Sequence, residues 1–219
     1  KVAEIDVPIF HLGGWFDVFL SHTLDMFTGM SENGRSEQTR ESQRLLVGPW
    51  VHGPVEPDAS NQGDLEFGPE AVLGINEFRK RWFDHYLNGV ENGADDLPRV
   101  QLFVMGLNQW RNFDTWPPPG TKATKLFLGD SSLSFDAPTE DSSSTSYDYD
   151  PFDPVPYYGG GRPGFDGLGP IDMAPSEDRM NVFTSEPLEK PITVIGTMSL
   201  KLHASSSAKD TDWFVTLTD

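Results

Sequence analysis

The pattern of apolar and polar residues near the start of the chain predicts a strand followed by a helix. Residues 7–12 form a short run of β-branched and aromatic residues, which is typical of a buried parallel strand. Gly13 and Gly14 follow it and favour a tight exit, and the apolar spacing over residues 18–32 is helical. Asp17 is therefore predicted to lie at the carboxyl end of the strand, where open α/β sheets place ligands and catalytic side chains.

A second apolar run, RLLVGPWVHG, repeats this arrangement. Residues 44–51 predict another strand with a glycine break, and His52 comes just past its end. Two consecutive strands would deliver Asp17 and then His52 to one edge, in the order that acid and histidine take in hydrolase triads. Simpler interpretations remain open, because Asp17 could cap its helix and His52 could be an ordinary loop residue.

A third periodic segment predicts a helix over residues 69–87. Pro69 suits its first turn, and Asn88 with Gly89 would end it. His85 falls on the polar flank and is interpreted as a surface or hydrogen-bonded histidine. The stripe that indicates packing against a sheet consists of Val72, Ile75, Phe78, Arg79, Trp82, Phe83 and Tyr86.

The pattern changes after residues 89–98, which have the composition of a linker. Short alternating or apolar runs then recur between turns, a spacing typical of an antiparallel β-sandwich. Trp110 and Trp116, beside three prolines, predict an aromatic corner that either packs between domains or holds a sugar. The predicted strands are VQLFVM, TKLFL, ITVIGTMSLKLHAS and DWFVTLT.

Charge and composition exclude several classes of partner. The net charge of -18 and the pI of about 4.4 argue against binding to nucleic acid or to an anionic membrane. No apolar run approaches the roughly 20 residues that cross a bilayer. The absence of cysteine excludes disulfides and thiolate metal sites. We therefore expect a soluble protein, with cytoplasmic and secreted locations both left open.

Metal chemistry is the least favoured interpretation of the polar residues. A metal hydrolase would have to be built from His11, Asp17, His22 and His52, which show no HExxH or comparable ligand spacing. Residues 148–153 carry three aspartates that could hold calcium, but their spacing fits no EF-hand and a solvated acidic loop is favoured. No metal and no cofactor are expected.

The motifs GGWFDVF and LLVGPWVHG resemble the acid and histidine motifs of the CocE/NonD-type serine hydrolases, the family of cocaine esterase, α-amino-acid ester hydrolase and X-Pro dipeptidyl-peptidase. VQLFVMGLNQWRNFDTWPPPGTKATKLFL, FDPVPYYGGG and residues 187–219 resemble the β-sandwich that follows the catalytic domain in that family. By this resemblance Asp17 is the triad acid and His52 the base. We place Trp15, Phe19 and Trp50 at the substrate site, with Phe19 matching a position that lines the acyl pocket.

The resemblance implies a fold class of α/β plus all-β. Residues 1–90 would form the C-terminal part of an α/β-hydrolase domain, and residues 91–219 a jelly-roll-like β-sandwich. The sandwich is expected to be incomplete, with an unpaired edge. Because sheet edges associate readily, a homo-oligomer is left open.

The nucleophile is the main departure from the family pattern. None of the serines lies in a Gly-x-Ser-x-Gly elbow, and no cysteine could replace one. The chain also starts at Lys1, directly before a strand that comes late in the hydrolase sheet. We therefore expect a C-terminal fragment of a longer hydrolase, inactive alone, whose missing N-terminal segment carries the nucleophile and the oxyanion hole.

Two functions follow from these expectations. The first is a Ser-His-Asp hydrolase that cleaves small acyl ester, amide or peptide bonds through an acyl-enzyme. Ester hydrolysis, β-lactam acyl transfer and X-Pro peptide cleavage are not separated, and an amino-acid ester hydrolase or acylase ranks first. The alternative is a non-catalytic β-sandwich module that binds a glycan or a protein partner.

Overall fold

The computed structural model describes residues 2–52, 60–139, 144–156 and 169–219. Three α-helices and several short 3-10 turns lie in these ranges. The helices are α1 (Leu20–Asn33), α2 (Glu37–Glu41) and α3 (Ile75–Asn88). The strands are β1 (Phe10–Phe16), β2 (Arg44–Val51), β3 (Asn61–Gln62), β4 (Leu65–Glu66), β5 (Val100–Val104), β6 (Gln109–Phe113), β7 (Phe127–Leu128) and β8 (Leu133–Ser134).

The principal sheet has four strands in the order β1-β2-β5-β6. β1, β2 and β5 run parallel, and β6 returns antiparallel to β5. The segment VQLFVM, predicted above as the first sandwich strand, therefore extends the sheet of β1 and β2. Its placement follows from burial on both faces, because Val100, Leu102 and Phe103 are each 0% exposed.

Strand β1 does not stop at the two glycines, as the pattern predicted, but continues through them to Phe16. The reason is packing. A Cβ on Gly14 would overlap the backbone carbonyl of Trp50, whereas one on Gly13 would make only ordinary contact with α1. Gly14 thus allows close approach within the sheet. Asp17 still follows directly after the strand.

Apolar side chains cover both faces of the sheet. The face under α1 is built on Phe27, Leu45, Val47, Val100 and Leu102. The opposite face carries Leu46, Trp50 and Ile75, and beside them Phe67, Ala71 and Phe103. This is the layered packing of an α/β domain, and it holds the carboxyl ends of β1 and β2 in fixed positions.

The predicted helix over residues 69–87 is divided in the structure. A 3-10 turn covers Pro69–Ala71, and α3 begins only after Gly74, which adopts the left-handed conformation. Val72 and Phe83, predicted to be core, are 42% and 55% exposed. The predicted end at Gly89 is confirmed, since this residue caps α3 with a left-handed backbone.

The C-terminal part contains little strand. β7 and β8 form a two-stranded ribbon, and Ser132 bridges to Thr184. The segments ITVIGTMSLKLHAS and DWFVTLT, predicted as strands, form none within the described residues 169–219. A strand needs backbone partners on a neighbouring chain segment, and these segments lie exposed, with Phe214 at 91%. The jelly-roll sandwich and the division at residue 91 stay predictions.

None of the helices in the described ranges has the length and apolarity that a bilayer crossing requires.

Candidate active site

The turn after β1 holds Asp17 in a fixed orientation. Its backbone N–H donates to the Gly14 carbonyl, and its own carbonyl accepts from Leu20, the first residue of α1, each at 3.0 Å. The Asp17 carboxylate accepts from the Phe19 N–H at 2.7 Å. The N-cap of α1 is Phe19, and no side chain caps the helix, so the interpretation of Asp17 as the N-cap is wrong. The bond from Asp17 closes a local turn just before the helix.

The same carboxylate faces His52. The Nδ1 atom of His52 lies 3.2 Å from both Asp17 oxygens. The Asp17 side chain is 18% exposed and that of His52 is 39% exposed, so the acid is the more enclosed partner. In the Nδ1–H tautomer, which a facing carboxylate favours, the ring donates to Asp17 and Nε2 keeps a free lone pair. This is the orientation that a general base requires.

Strand register produces this pairing. β1 and β2 match Gly14 with Gly48 and then Phe16 with Val51, with an irregularity between the two pairs. The residue after each strand therefore comes to the same edge, where Asp17 meets His52. Parallel pairing and one local bulge thus bring together the two residues that the motifs predicted.

Phe19 lies against the proposed base. Its ring meets the His52 imidazole edge-on, with centroids 4.9 Å apart, and the side chain is 53% exposed. An exposed aromatic ring in contact with the histidine can both restrict the imidazole and offer an apolar surface to a ligand. Phe19 therefore provides an apolar group in direct contact with the pair.

The two tryptophans predicted at the substrate site are held differently. Trp15 donates its indole N–H to the Phe103 carbonyl at 2.7 Å and packs against Trp116. Trp50 is only 5% exposed and packs against Trp110. Their roles in substrate binding stay predictions, and the geometry gives both a clear packing role.

The aromatic corner is also packed inward. Trp110 donates its indole N–H to the Glu70 carbonyl at 2.7 Å and contacts the Phe103 ring. Trp116 belongs to the cluster under α1. These contacts support packing between segments rather than an open sugar platform.

His11 does not join the Asp17 and His52 pair. It is 6% exposed, and its Nε2 lies 2.8 Å from the Gln43 amide oxygen. Burial lowers the pKa of His11, and the hydrogen bond to the Gln43 amide oxygen opposes this shift. His22 is exposed on α1. Across the described ranges no three His, Asp or Glu side chains are grouped as a metal would need.

The acidic loop predicted over residues 148–153 forms an ion pair and a hydrogen bond within the chain. Asp153 forms an ion pair with Arg179 at 3.0 Å, and the Asp150 carboxylate accepts from the Phe152 N–H at 2.8 Å. Calcium binding there has no support from this geometry. The segment VPYYGGGRPGFDGLG, singled out in the sequence, lies mostly outside the described residues.

The sequence analysis did not predict one contact, which is made by the β3–β4 hairpin. The β3–β4 hairpin, which follows His52 along the chain, packs against residues 169–172. The Asp64 N–H donates to the Pro170 carbonyl at 2.8 Å, and the Asp172 N–H donates to the Asp64 carboxylate at 3.2 Å. The positive φ of Gly63, 55°, permits this approach. The only signal was a glycine in a turn, which does not identify a partner so distant in sequence.

Comparison with known families divides the chain into two matches. Residues 92–219 match the X-Pro dipeptidyl-peptidase C-terminal non-catalytic domain, and residues 1–54 match X-Pro dipeptidyl-peptidase of the S15 family. The first match covers more than half of the chain. The sheet described above crosses the boundary between the two matched regions, because β5 pairs with β2.

Individual relatives agree with these matches. Cocaine esterase from Rhodococcus sp. (strain MB1 Bresler) is 35% identical over 100% of this chain and 39% of its own length. An aminopeptidase from a marine sediment Thaumarchaeota archaeon is 28% identical with a TM-score of 0.54, over 71% of this chain and 25% of that one. An α-amino acid ester hydrolase is 27% identical with a TM-score of 0.54, over 71% and 26%.

The chain spans about two fifths of the length of cocaine esterase and about a quarter of the two solved enzymes. On the two family matches and on these relatives, the chain belongs to the CocE/NonD-type hydrolases that are related to X-Pro dipeptidyl-peptidase.

Proposed function

We propose that this chain supplies the acid and the base of a Ser-His-Asp hydrolase. The observation that carries the proposal is the 3.2 Å approach of the Asp17 carboxylate to the His52 Nδ1 atom at the carboxyl ends of two parallel strands. Similarity to cocaine esterase and to α-amino acid ester hydrolase supports a reaction at an acyl carbonyl.

In each half of the proposed reaction, His52 accepts a proton and then passes it on. Its Nε2 takes the proton of the nucleophilic hydroxyl as that oxygen attacks the carbonyl carbon, and then gives it to the leaving alcohol or amine as the acyl-enzyme forms. Water then attacks the acyl-enzyme. His52 takes a proton from the water and returns it to the oxygen of the nucleophile, and the carboxylic acid product is released. Asp17 stabilises the imidazolium and keeps the Nδ1–H tautomer, without itself taking the proton.

The nucleophile comes from a polypeptide segment outside the described residues. His52 has Asp17 as its hydrogen-bond partner, and no serine in the described ranges bonds to the ring. We infer that the chain alone does not turn over substrate. The missing segment also supplies the oxyanion hole, because a hydroxyl attack without such donors loses a large part of the rate enhancement.

The substrate class is a small acyl ester, amide or peptide. Phe19 presents an exposed ring edge-on to His52 and is placed to contact an apolar acyl group. Trp15 and Trp50 would act behind it, by supporting the strand ends. Within the class, an amino-acid ester hydrolase or acylase ranks before X-Pro peptide cleavage.

The test is a single polypeptide that joins this chain to the part of the Rhodococcus cocaine esterase that it does not match. We expect this chimera to hydrolyse p-nitrophenyl acetate and this chain alone to be inactive. Asp17→Asn should lower kcat about 10⁴-fold, and His52→Ala by at least as much, as for other triads. His203→Ala, at an exposed histidine of the C-terminal segment, is the matched control and should keep full activity.

Folding of each variant is checked by circular dichroism and by its thermal transition. A folded chimera whose hydrolysis is unaffected by His52→Ala would contradict the proposal. So would a folded chimera that lacks hydrolysis while the unaltered cocaine esterase is active under the same conditions.

A further inference from the structure

The turn between β5 and β6, residues 105–108, lies at the active-site edge of the sheet. β5 runs parallel to β2, and Val47 is matched with Leu102. Val104, two positions past Leu102, ends β5 and is level with position 49, three residues before His52. Because strands rise about 3.3 Å per residue and lie about 5 Å apart, the turn occupies the space beside the end of β2.

Two residues of this turn are large, apolar and exposed. Met105 is 39% exposed and Leu107 is 55% exposed. Turns are usually built from small or polar residues, and here Gly106 and Asn108 provide the positive φ values, 81° and 51°, that reverse the chain. The turn itself therefore does not require Met105 and Leu107, and the fold leaves much of their surface open to a ligand.

The β5–β6 hairpin is held in place from both faces of the sheet. On the face under α1, the Trp15 indole N–H donates to the Phe103 carbonyl at 2.7 Å. On the opposite face, the Trp50 and Trp110 rings pack with their centroids 5.8 Å apart. Trp15 and Trp50 each come two residues before a member of the proposed catalytic pair. These contacts therefore fix the turn relative to the acid and the base.

We propose that Met105 and Leu107 form an apolar wall of the substrate site, on the leaving-group side of His52. This inference rests on the proposed function and names the part of the substrate that the turn contacts. The ligand is the apolar alcohol portion of an ester, because thioether and isobutyl side chains bind alkyl groups through the hydrophobic effect. From here on the β5–β6 wall means Met105 and Leu107.

Phe19 and the β5–β6 wall lie on opposite sides of the strand that carries His52. β2 lies between β1 and β5, and Phe19, which follows β1, packs against the His52 ring. The proposed function assigns the acyl group to Phe19. The acyl chain and the leaving group extend in different directions from the carbonyl carbon, and the histidine gives its proton to the leaving group. The wall is therefore placed to contact the leaving alcohol.

The chimera with the unmatched part of the Rhodococcus cocaine esterase tests the wall with two series of esters. Ethyl, butyl and hexyl acetate vary the alcohol, and methyl acetate, butanoate and hexanoate vary the acyl group. Hydrolysis is followed by pH-stat titration. Leu107→Ser should lower kcat/KM for hexyl acetate relative to ethyl acetate at least about fivefold, because an apolar contact with the alkyl chain is lost. The ratio of methyl hexanoate to methyl acetate should change less than about twofold.

Two further variants serve as matched controls. Phe19→Ala should reverse the pattern, lowering the ratio in the acyl series and leaving the ratio in the alcohol series unchanged. Leu87→Ser removes another exposed leucine, 75% exposed, near the end of α3. This end lies at the opposite edge of the sheet, because Tyr86 donates to Asp95, whose carbonyl accepts from Arg44 at the start of β2. Leu87→Ser should therefore change neither ratio.

A binding measurement decides the case in which hydrolysis is absent. The Met105 methyl group, ¹³C-labelled and identified by its loss in Met105→Leu, is followed by NMR as 1-hexanol is added. We expect a saturable shift that the same concentration of ethanol does not produce. The titration uses the folded chimera, or this chain if the chimera does not fold.

The outcomes separate this inference from the proposed function. In an active chimera, a loss confined to the alcohol series supports the wall. Equal losses in both series overturn it and show that Leu107 packs against the rest of the protein, and unchanged ratios overturn it as well. Without hydrolysis, a saturable shift at Met105 supports the wall while the triad fails, and the lack of such a shift overturns the wall.

Discussion

Asp17 serves two neighbours with one carboxylate. It accepts the Phe19 N–H at the start of α1 and lies 3.2 Å from the His52 Nδ1 atom. The turn thus fixes the acid before any substrate arrives, because the bond to the backbone prevents rotation away from the histidine. One carboxylate thus both closes the turn before α1 and faces the histidine that we propose as the base.

His11 is the residue whose ionisation affects folding most clearly. Burial lowers its pKa in the native state, and its Nε2 is bonded to Gln43. Above the unfolded pKa of about 6.5 the ring is neutral in both states, and His11 does not lower the free energy of unfolding. As the pH falls below that value, the unfolded chain binds the proton first, and stability is progressively lost down to the folded pKa.

We therefore expect the free energy of unfolding to fall between pH 7 and pH 5, with a slope of up to about 1.4 kcal/mol per pH unit from this one group. Urea unfolding of His11→Gln should show a shallower slope. His22→Gln, at an exposed histidine, is the control and should keep the original slope. Equal slopes in all three proteins would contradict this assignment.

At the scale of elements, the β3–β4 hairpin is held by a segment far away in the chain. Its contact with residues 169–172 depends on Gly63, because a Cβ there would overlap the Pro170 carbonyl. Gly89, at the end of α3, also has a positive φ, 66°, but has open space around the position of a Cβ. The two glycines therefore share a positive φ and differ in contact.

Replacing each glycine by alanine separates the two effects. Gly63→Ala should lower the free energy of unfolding by about 1–3 kcal/mol more than Gly89→Ala, since it must also displace residues 169–172. Exchange at the Asp64 amide, which is bonded to Pro170, should accelerate in Gly63→Ala alone. Similar losses in both variants, with Asp64 still protected, would show that the contact contributes nothing.

The elements that sequence alone predicts well are those with strong local signals. The strand before His52 and the end of α3 at Gly89 follow from an apolar run and from a left-handed cap. The end of β1 was predicted too early, because a glycine pair signals both a turn and close packing, and only the contact with Trp50 distinguishes them. Parallel pairing of β5 with β2 is non-local and has no signature in its own residues.

The candidate site was predictable for the same reason. Asp17 and His52 come directly after two strands, and the parallel rule brings strand ends together. The burial of Trp50 and the indole bond from Trp15 to the Phe103 carbonyl were not predictable, because both depend on residues of β5 and β6. Aromatic residues near a motif are thus weak indicators of substrate contact.

At the scale of the whole molecule, the described residues leave one strand edge and several apolar side chains exposed. Within the described ranges the outer side of β1 has no neighbouring strand, and residues 191–219 expose Val194, Met198 and Phe214 without forming a strand. The part of this chain that matches these relatives spans 39%, 25% and 26% of their own lengths. On the proposed function, the exposed edge and a nucleophile outside the described residues would have one explanation, which is that the described residues hold one part of a larger hydrolase.

The most direct test of this account is the tautomer of His52 in this chain, read from the ring-nitrogen shifts of ¹⁵N-labelled protein above pH 8. We predict the Nδ1–H form, and Asp17→Ala should shift the ring toward Nε2–H, because the carboxylate is what holds the proton on Nδ1. Ser21→Ala is the control for a change near the start of α1. An Nε2–H ring in the unaltered chain, or a tautomer that Asp17→Ala leaves unchanged, would contradict the assignment of Asp17 and His52 as the acid and base of a triad.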